Sequence, residues 1–75
     1  MDKNSDPLFR RPPLQTKHIP KDYNFAAVDK IGTAYAYKNK PHLDEFQWKT
    51  NNNSQFKVIG FNFDNSNWTN SLISK

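Results

Sequence analysis

The sequence predicts an α+β fold: a small four-stranded antiparallel sheet of two hairpins with a short C-terminal helix, preceded by an extended N-terminal arm. Three observations carry this. Thr33 to Lys38 alternates small and aromatic side chains directly after an Asp29-Lys30-Ile31-Gly32 turn, the pattern of a hairpin strand. Pro7, Pro12, Pro13 and Pro20 forbid a helix through the first twenty residues. A run of capping residues, 64–67, precedes Trp68 and Leu72, which stand four apart on one helical face. The chain thus divides into a Pro-rich arm over 1–20 and a folded domain over 21–75.

Within the arm, Leu8, Phe9, Leu14 and Ile19 are apolar enough to dock on a neighbouring surface, while residues 1–6 read as a frayed end. Tyr23 to Val28 is the first strand. Asp29 opens a type I turn and Gly32 takes the left-handed position that closes it. The second strand then carries Tyr35 and Tyr37 on one face and Ala34 and Ala36 on the other. The small face invites close approach by another element, which leaves the tyrosine face open to a ligand. Pro41 starts a loop with one helical turn, with Leu43 and Phe46 three apart. Gln47 to Thr50 is a short third strand and Asn51 to Ser54 a turn. Gln55 to Phe63 is the fourth strand, paired in a hairpin with the third. Phe56 and Val58 share one parity there, and Ile59, Phe61 and Phe63 the other; either Gly60 permits a bulge that brings the two sets together, or both faces are covered, as at a subunit interface. Trp68 to Ile73 is the terminal helix.

With 75 residues, 35% apolar and no cysteine, the chain has little core and no disulfide or thiolate metal site to supplement it. A homo-oligomer, dimer or tetramer, is expected. The net charge of +4 favours anionic partners. No apolar run is long enough to span a membrane and the N-terminus lacks a signal-peptide core, so the expected location is the cytoplasm.

Catalytic chemistry is hard to assemble from these residues. There are two histidines, His18 and His42, one glutamate, Glu45, and no Gly-rich phosphate loop. No cofactor and no enzymatic activity are expected. Binding is better supplied. Arg10 and Arg11 are fork-shaped donors suited to phosphate, followed by the stiff Pro12-Pro13 pair. Lys38 and Lys40 follow the tyrosine strand, and Tyr35 and Tyr37 offer flat faces for a base. These six residues form the candidate ligand site. Trp48 and Trp68 could stack too, but a core role is favoured for both, because so small a domain needs its largest side chains inside.

From Ile19 to Leu72 the chain resembles a class of small phage-encoded proteins. The resemblance rests on Pro20, Tyr23 to Asp29, Gly32, Tyr35-Ala36-Tyr37, Pro41, Trp48, Ile59-Gly60 and the closing Trp68-Thr69-Asn70-Ser71-Leu72. It is a pattern of an Asp-x-x-Gly hairpin and a Trp-x-x-Ser-Leu ending, residues that report fold. Among small phage proteins are the sponges, oligomers that sequester the cyclic nucleotides of bacterial defence systems such as CBASS. What the resemblance implies is an anti-defence protein of the host cytoplasm that binds a cyclic dinucleotide or related signal without catalysis. The alternatives are a small inhibitor of a host protein and a basic nucleic-acid-binding module.

Overall fold

A computed structural model describes residues 11–51 and 54–75. A four-stranded antiparallel sheet and a separate two-stranded ribbon make up the fold. The sheet is built around the hairpin of β1 (Phe25–Val28) and β2 (Ala34–Tyr37), in the register Phe25↔Tyr37 to Val28↔Ala34. Its turn follows from the residues between. The Asp29 carboxylate accepts the N–H groups of Ile31 and Thr33 at 3.0 and 2.9 Å, and the Gly32 N–H closes onto the Asp29 carbonyl at 3.1 Å. Gly32 holds φ +95°, the left-handed value the turn requires.

The ribbon pairs β3 (His42–Leu43) with β4 (Trp48–Lys49). The strand β5 (Phe56–Gly60) pairs with β2, and β6 (Ile73–Ser74) pairs with β1, so the sheet runs β5-β2-β1-β6. The register between β2 and β5 shifts at Ala34/Tyr35, because Ile59 is an extra residue opposite them. Of the two alternatives for this strand, the bulge that Gly60 permits is thus present. Beyond it, Asn62 takes φ +64° and the chain reverses, which returns Phe63 to the sheet.

Three expectations need correction. The third and fourth strands do not form a hairpin, since β4 pairs with β3 and β5 with β2. The segment after Pro41 is extended in place of a helical turn. A tight reversal from Asp44 to Gln47, closed by the Asp44 N–H on the Gln47 carbonyl at 2.8 Å and the Lys49–Asp44 ion pair at 3.1 Å, gives Trp48 and Lys49 a local partner. The terminal helix is replaced by a single 3-10 turn, Trp68–Asn70, followed by β6. Asn67 makes no side-chain cap there, and a six-residue helix cannot repay its nucleation cost. Pairing Ile73 and Ser74 with Ala26 and Phe25 gives the same backbone groups fixed partners.

The alternation of β1 and β2 sorts the sheet into two faces. Ala26, Val28, Ala34 and Ala36 share one, and all are fully buried. Phe63, with the half-buried Leu14 and Ile59, packs against Val28 and Ala34. The alanine face therefore lies against other elements of the chain, as expected. Segment 11–20 runs along its own chain: the Asp64 N–H donates to the Pro12 carbonyl at 2.8 Å, Ile19 is buried, and the His18 ring meets Phe63 edge-on at 5.0 Å. Among the described residues no helix is long and apolar enough to cross a membrane.

Candidate functional site, an aromatic cleft

The other sheet face carries Phe25, Ala27, Tyr35, Tyr37, Phe56 and Val58. Cross-strand pairing sets Tyr37 opposite Phe56, with Tyr35 two residues along, so three rings meet on one surface. Their centroids form a nearly equilateral triangle: 6.3 Å between the tyrosines and 6.1 Å from each to Phe56. These separations lie within the range for aromatic pairs.

Opposite the rings stands β4 with its flanking residues. Gln47, Trp48, Lys49 and Thr50 face Tyr35, Tyr37 and Phe56 across a cleft of about 410 Å³, and Asp29 is part of its lining. The ribbon is tethered by Trp48, whose indole N–H donates to the Val28 carbonyl at 3.1 Å and reaches the Trp68 carbonyl at 3.3 Å. One side chain thus both anchors the ribbon and supplies cleft wall.

The polar lining has distinct states. Asp29 Oδ1 is occupied by the two turn N–H groups, which orients its carboxylate. Burial pushes the Tyr37 phenol well above its ordinary pKa, reinforced by the Tyr35 and Asp29 charges, so its hydroxyl keeps its proton. Lys49 is half-exposed and ion-paired with Asp44; that bond and the Glu45 N–H hold the Asp44 carboxyl below its usual range. The Thr50 hydroxyl is buried with no hydrogen-bond partner among the described residues. A buried hydroxyl without a partner is costly.

Of the six candidate residues, the structure brings two together here, Tyr35 and Tyr37. Tyr37 is buried and Tyr35 half-buried, so the tyrosine face is the wall of a cleft and not an open platform. Lys38 has the opposite parity, and its Nζ lies 5.1 Å from the centre of the Tyr23 ring. Lys40 is exposed in the segment before β3. Arg11 is exposed with its guanidinium against the Gly32 turn, where a Cβ on Gly32 would come 2.9 Å from Nη1. Arg10 lies outside the described residues. Sequence reasoning missed Asp29, Gln47, Lys49, Thr50 and Phe56 as cleft residues. A signal existed for Phe56 alone, in the apolar residues on both parities of the fourth strand.

No protein-family model matches the chain, and neither a curated protein nor a solved structure is detectably similar to it.

Proposed function

We propose that the protein binds a cyclic oligonucleotide signal of a bacterial defence system, a cyclic dinucleotide or a related nucleotide, and sequesters it without turnover. The observation that carries this reading is the cleft whose walls are Tyr35, Tyr37, Phe56 and Trp48. Flat rings hold a base by stacking whichever base it is. Asp29 and Gln47 supply acceptors and donors for base edges, and Lys49, half-exposed beside Asp44, a cation for phosphate. At about 410 Å³ the cleft suits one nucleoside unit, toward the lower end of small-molecule sites. A cyclic dinucleotide would then be shared between two copies of the chain, which accords with a homodimer or tetramer acting in the host cytoplasm. The small core supports self-association: among the described residues four of the eight buried apolar ones are alanines, and Val28 is the largest side chain wholly out of water.

A second reading is favoured by one observation. β5 is an edge strand, and Phe56, Val58 and Phe61 on or just beyond it are exposed by 53%, 44% and 68%. Such an edge can accept a strand of a host protein. Native mass spectrometry against a panel of cyclic and linear nucleotides separates the readings. Stoichiometric capture and release of an unaltered nucleotide on heating is the expected result. Failure to bind any nucleotide, with co-purification of one host protein, replaces it with the inhibitor.

A further inference from the structure

The topology gathers positive charge at the end of the sheet where Tyr37 pairs with Phe56, with Lys38 and Lys57 at the parity opposite to these two cleft residues. β1 and β5 begin at this end, and β2 and β6 finish at it, as the pairs Phe25↔Tyr37, Tyr37↔Phe56 and Phe25↔Ser74 fix. Lys21, Lys38, Lys40, Lys57 and Lys75 all lie on these strand ends or in the residues flanking them. A continuous row of hydrogen bonds ties the ends together. The Lys75 N–H donates to the Asn24 carbonyl at 3.1 Å, the Asn24 amide to the Lys38 carbonyl at 3.0 Å, and the Lys38 N–H to the Gln55 carbonyl at 3.0 Å.

At the centre of the row two lysines converge on one ring. The ammonium groups of Lys38 and Lys57 lie 5.1 and 5.4 Å from the centroid of Tyr23. Lys38 and Lys57 are on neighbouring strands at the same parity, so the sheet itself brings them together. Neither forms an ion pair with a carboxylate among the described residues. The Tyr23 quadrupole lowers the cost of holding two like charges close, which an anion between them would lower further. Among the described residues of these segments the opposing charge is Asp22.

We infer that this row is a binding strip for the phosphodiester backbone of a single-stranded nucleic acid. Four strands at their usual spacing extend the row over about 14 Å. Charges strung along a line suit a linear polyanion, whereas one compact anion calls for donors closing around a point. Amphipathic surfaces that insert into lipid carry bulky apolar side chains beside their lysines. Here the exposed apolar residues of β5 among those described, Phe56 and Val58, have the parity opposite to that of Lys38 and Lys57. Lys38 and Lys57 would straddle one phosphate over Tyr23, with Lys21, Lys40 and Lys75 meeting the neighbouring ones. This inference does not depend on what the aromatic cleft holds.

The test is fluorescence anisotropy with a labelled thymidine oligonucleotide of about 12 nucleotides, within the usual site size of small β-domains. If the five lysines neutralise four phosphates, Lys38 and Lys57 sharing one, affinity should fall about 50-fold between 50 and 200 mM salt. The double variant Lys38→Ala/Lys57→Ala should reduce that dependence to about 18-fold, the value for three remaining phosphates. Lys21→Ala/Lys40→Ala, at exposed positions, removes two and should reduce it to about sevenfold, which guards against a folding defect in the first variant. Lys17→Ala/Lys30→Ala removes equal charge elsewhere and should leave the salt dependence unchanged. The inference is overturned by absence of binding at 50 mM salt, by equal losses in all three double variants, or by preference for anionic phospholipid vesicles over the oligonucleotide.

Discussion

Ser71 satisfies the backbone of Val28 across 43 residues of chain: its hydroxyl oxygen accepts the Val28 N–H at 2.9 Å. The same hydroxyl donates to the Trp68 carbonyl at 2.7 Å, with the Val28 carbonyl at 3.1 Å. Trp48 completes the cluster by donating its indole N–H to the Val28 carbonyl. β6 pairs with β1 only at Phe25 and Ala26, so Val28 lies past the end of that ladder and side chains take over its hydrogen bonds. The Trp-x-x-Ser ending and the lone Trp48 are thereby given one physical purpose, to close the sheet and tether the ribbon that forms the cleft.

Removing that hydroxyl leaves a buried strand N–H with nothing to bond. Ser71→Ala should destabilise the protein by about 1–3 kcal/mol, the penalty of an orphaned buried donor. Urea unfolding measures it. Ser71→Thr keeps the oxygen and should recover most of the loss.

The two glycines answer to different constraints. Gly32 combines φ +95° with a Cβ position 3.0 Å from the Phe63 carbonyl oxygen, so Gly32→Ala should cost about 1–3 kcal/mol with no side-chain rescue. At Gly60 a Cβ would meet the Phe63 ring at 2.7 Å, a side-chain clash only. Gly60→Ala combined with Phe63→Leu should therefore be less destabilising than the sum of the two single changes, whereas Gly32→Ala with Phe63→Leu should be additive. Equal coupling in both cycles would show that the two glycines meet Phe63 in the same way.

The features legible in the sequence are those set by neighbours along the chain. Asp29-x-x-Gly32 fixes its turn through one carboxylate and one left-handed residue. The alternation of 33–38 sorts two faces, and Gly60 marks a bulge. Pairing partners were not legible in the same way. Whether Trp48 and Lys49 pair backward to His42 and Leu43 or forward to β5 depends on the Asp44–Lys49 ion pair and the long reach of the indole. Neither leaves a local pattern. The terminal segment looked helical because Trp68 and Leu72 are four apart, yet strand pairing with β1 supplies more partners than one helical turn. The cleft inherited both difficulties: its sheet wall followed from parity, and its opposite wall depended on where the ribbon folds.

Tyr37 gives the fold a pH limit. Its phenol is pushed up by burial first and by Tyr35 and Asp29 next, so the native state holds a proton that the unfolded chain releases near pH 10. A raised native pKa contributes stability in full below pH 10 and loses it as pH rises beyond. In an alkaline titration followed by phenolate absorbance, fewer than all three tyrosines should ionise before unfolding, and Tyr37→Phe should move the unfolding midpoint to higher pH. Ionisation of all three near pH 10 in folded protein would remove Tyr37 from its buried setting.

The last prediction separates cleft function from cleft structure. Tyr35 is half-buried while Tyr37 is 3% exposed, so the rings differ in what their loss does. Tyr37→Ala should act as a core truncation and cost about 3–5 kcal/mol. Tyr35→Ala gives up its contacts to Tyr37 and Phe56, about 1 kcal/mol of aromatic pairing, and leaves a folded protein. In that protein, affinity for a cyclic dinucleotide should fall by about 1–3 kcal/mol, the range for one lost stacking partner. Trp68 is half-buried and outside the cleft, so Trp68→Ala should lower stability by about 2 kcal/mol and leave affinity per folded molecule unchanged. Thermal melts and calorimetric titration on the three variants supply both quantities. Undiminished nucleotide affinity in folded Tyr35→Ala would put the ligand elsewhere than this cleft, and lost affinity in Trp68→Ala would make the sheet closure part of the site.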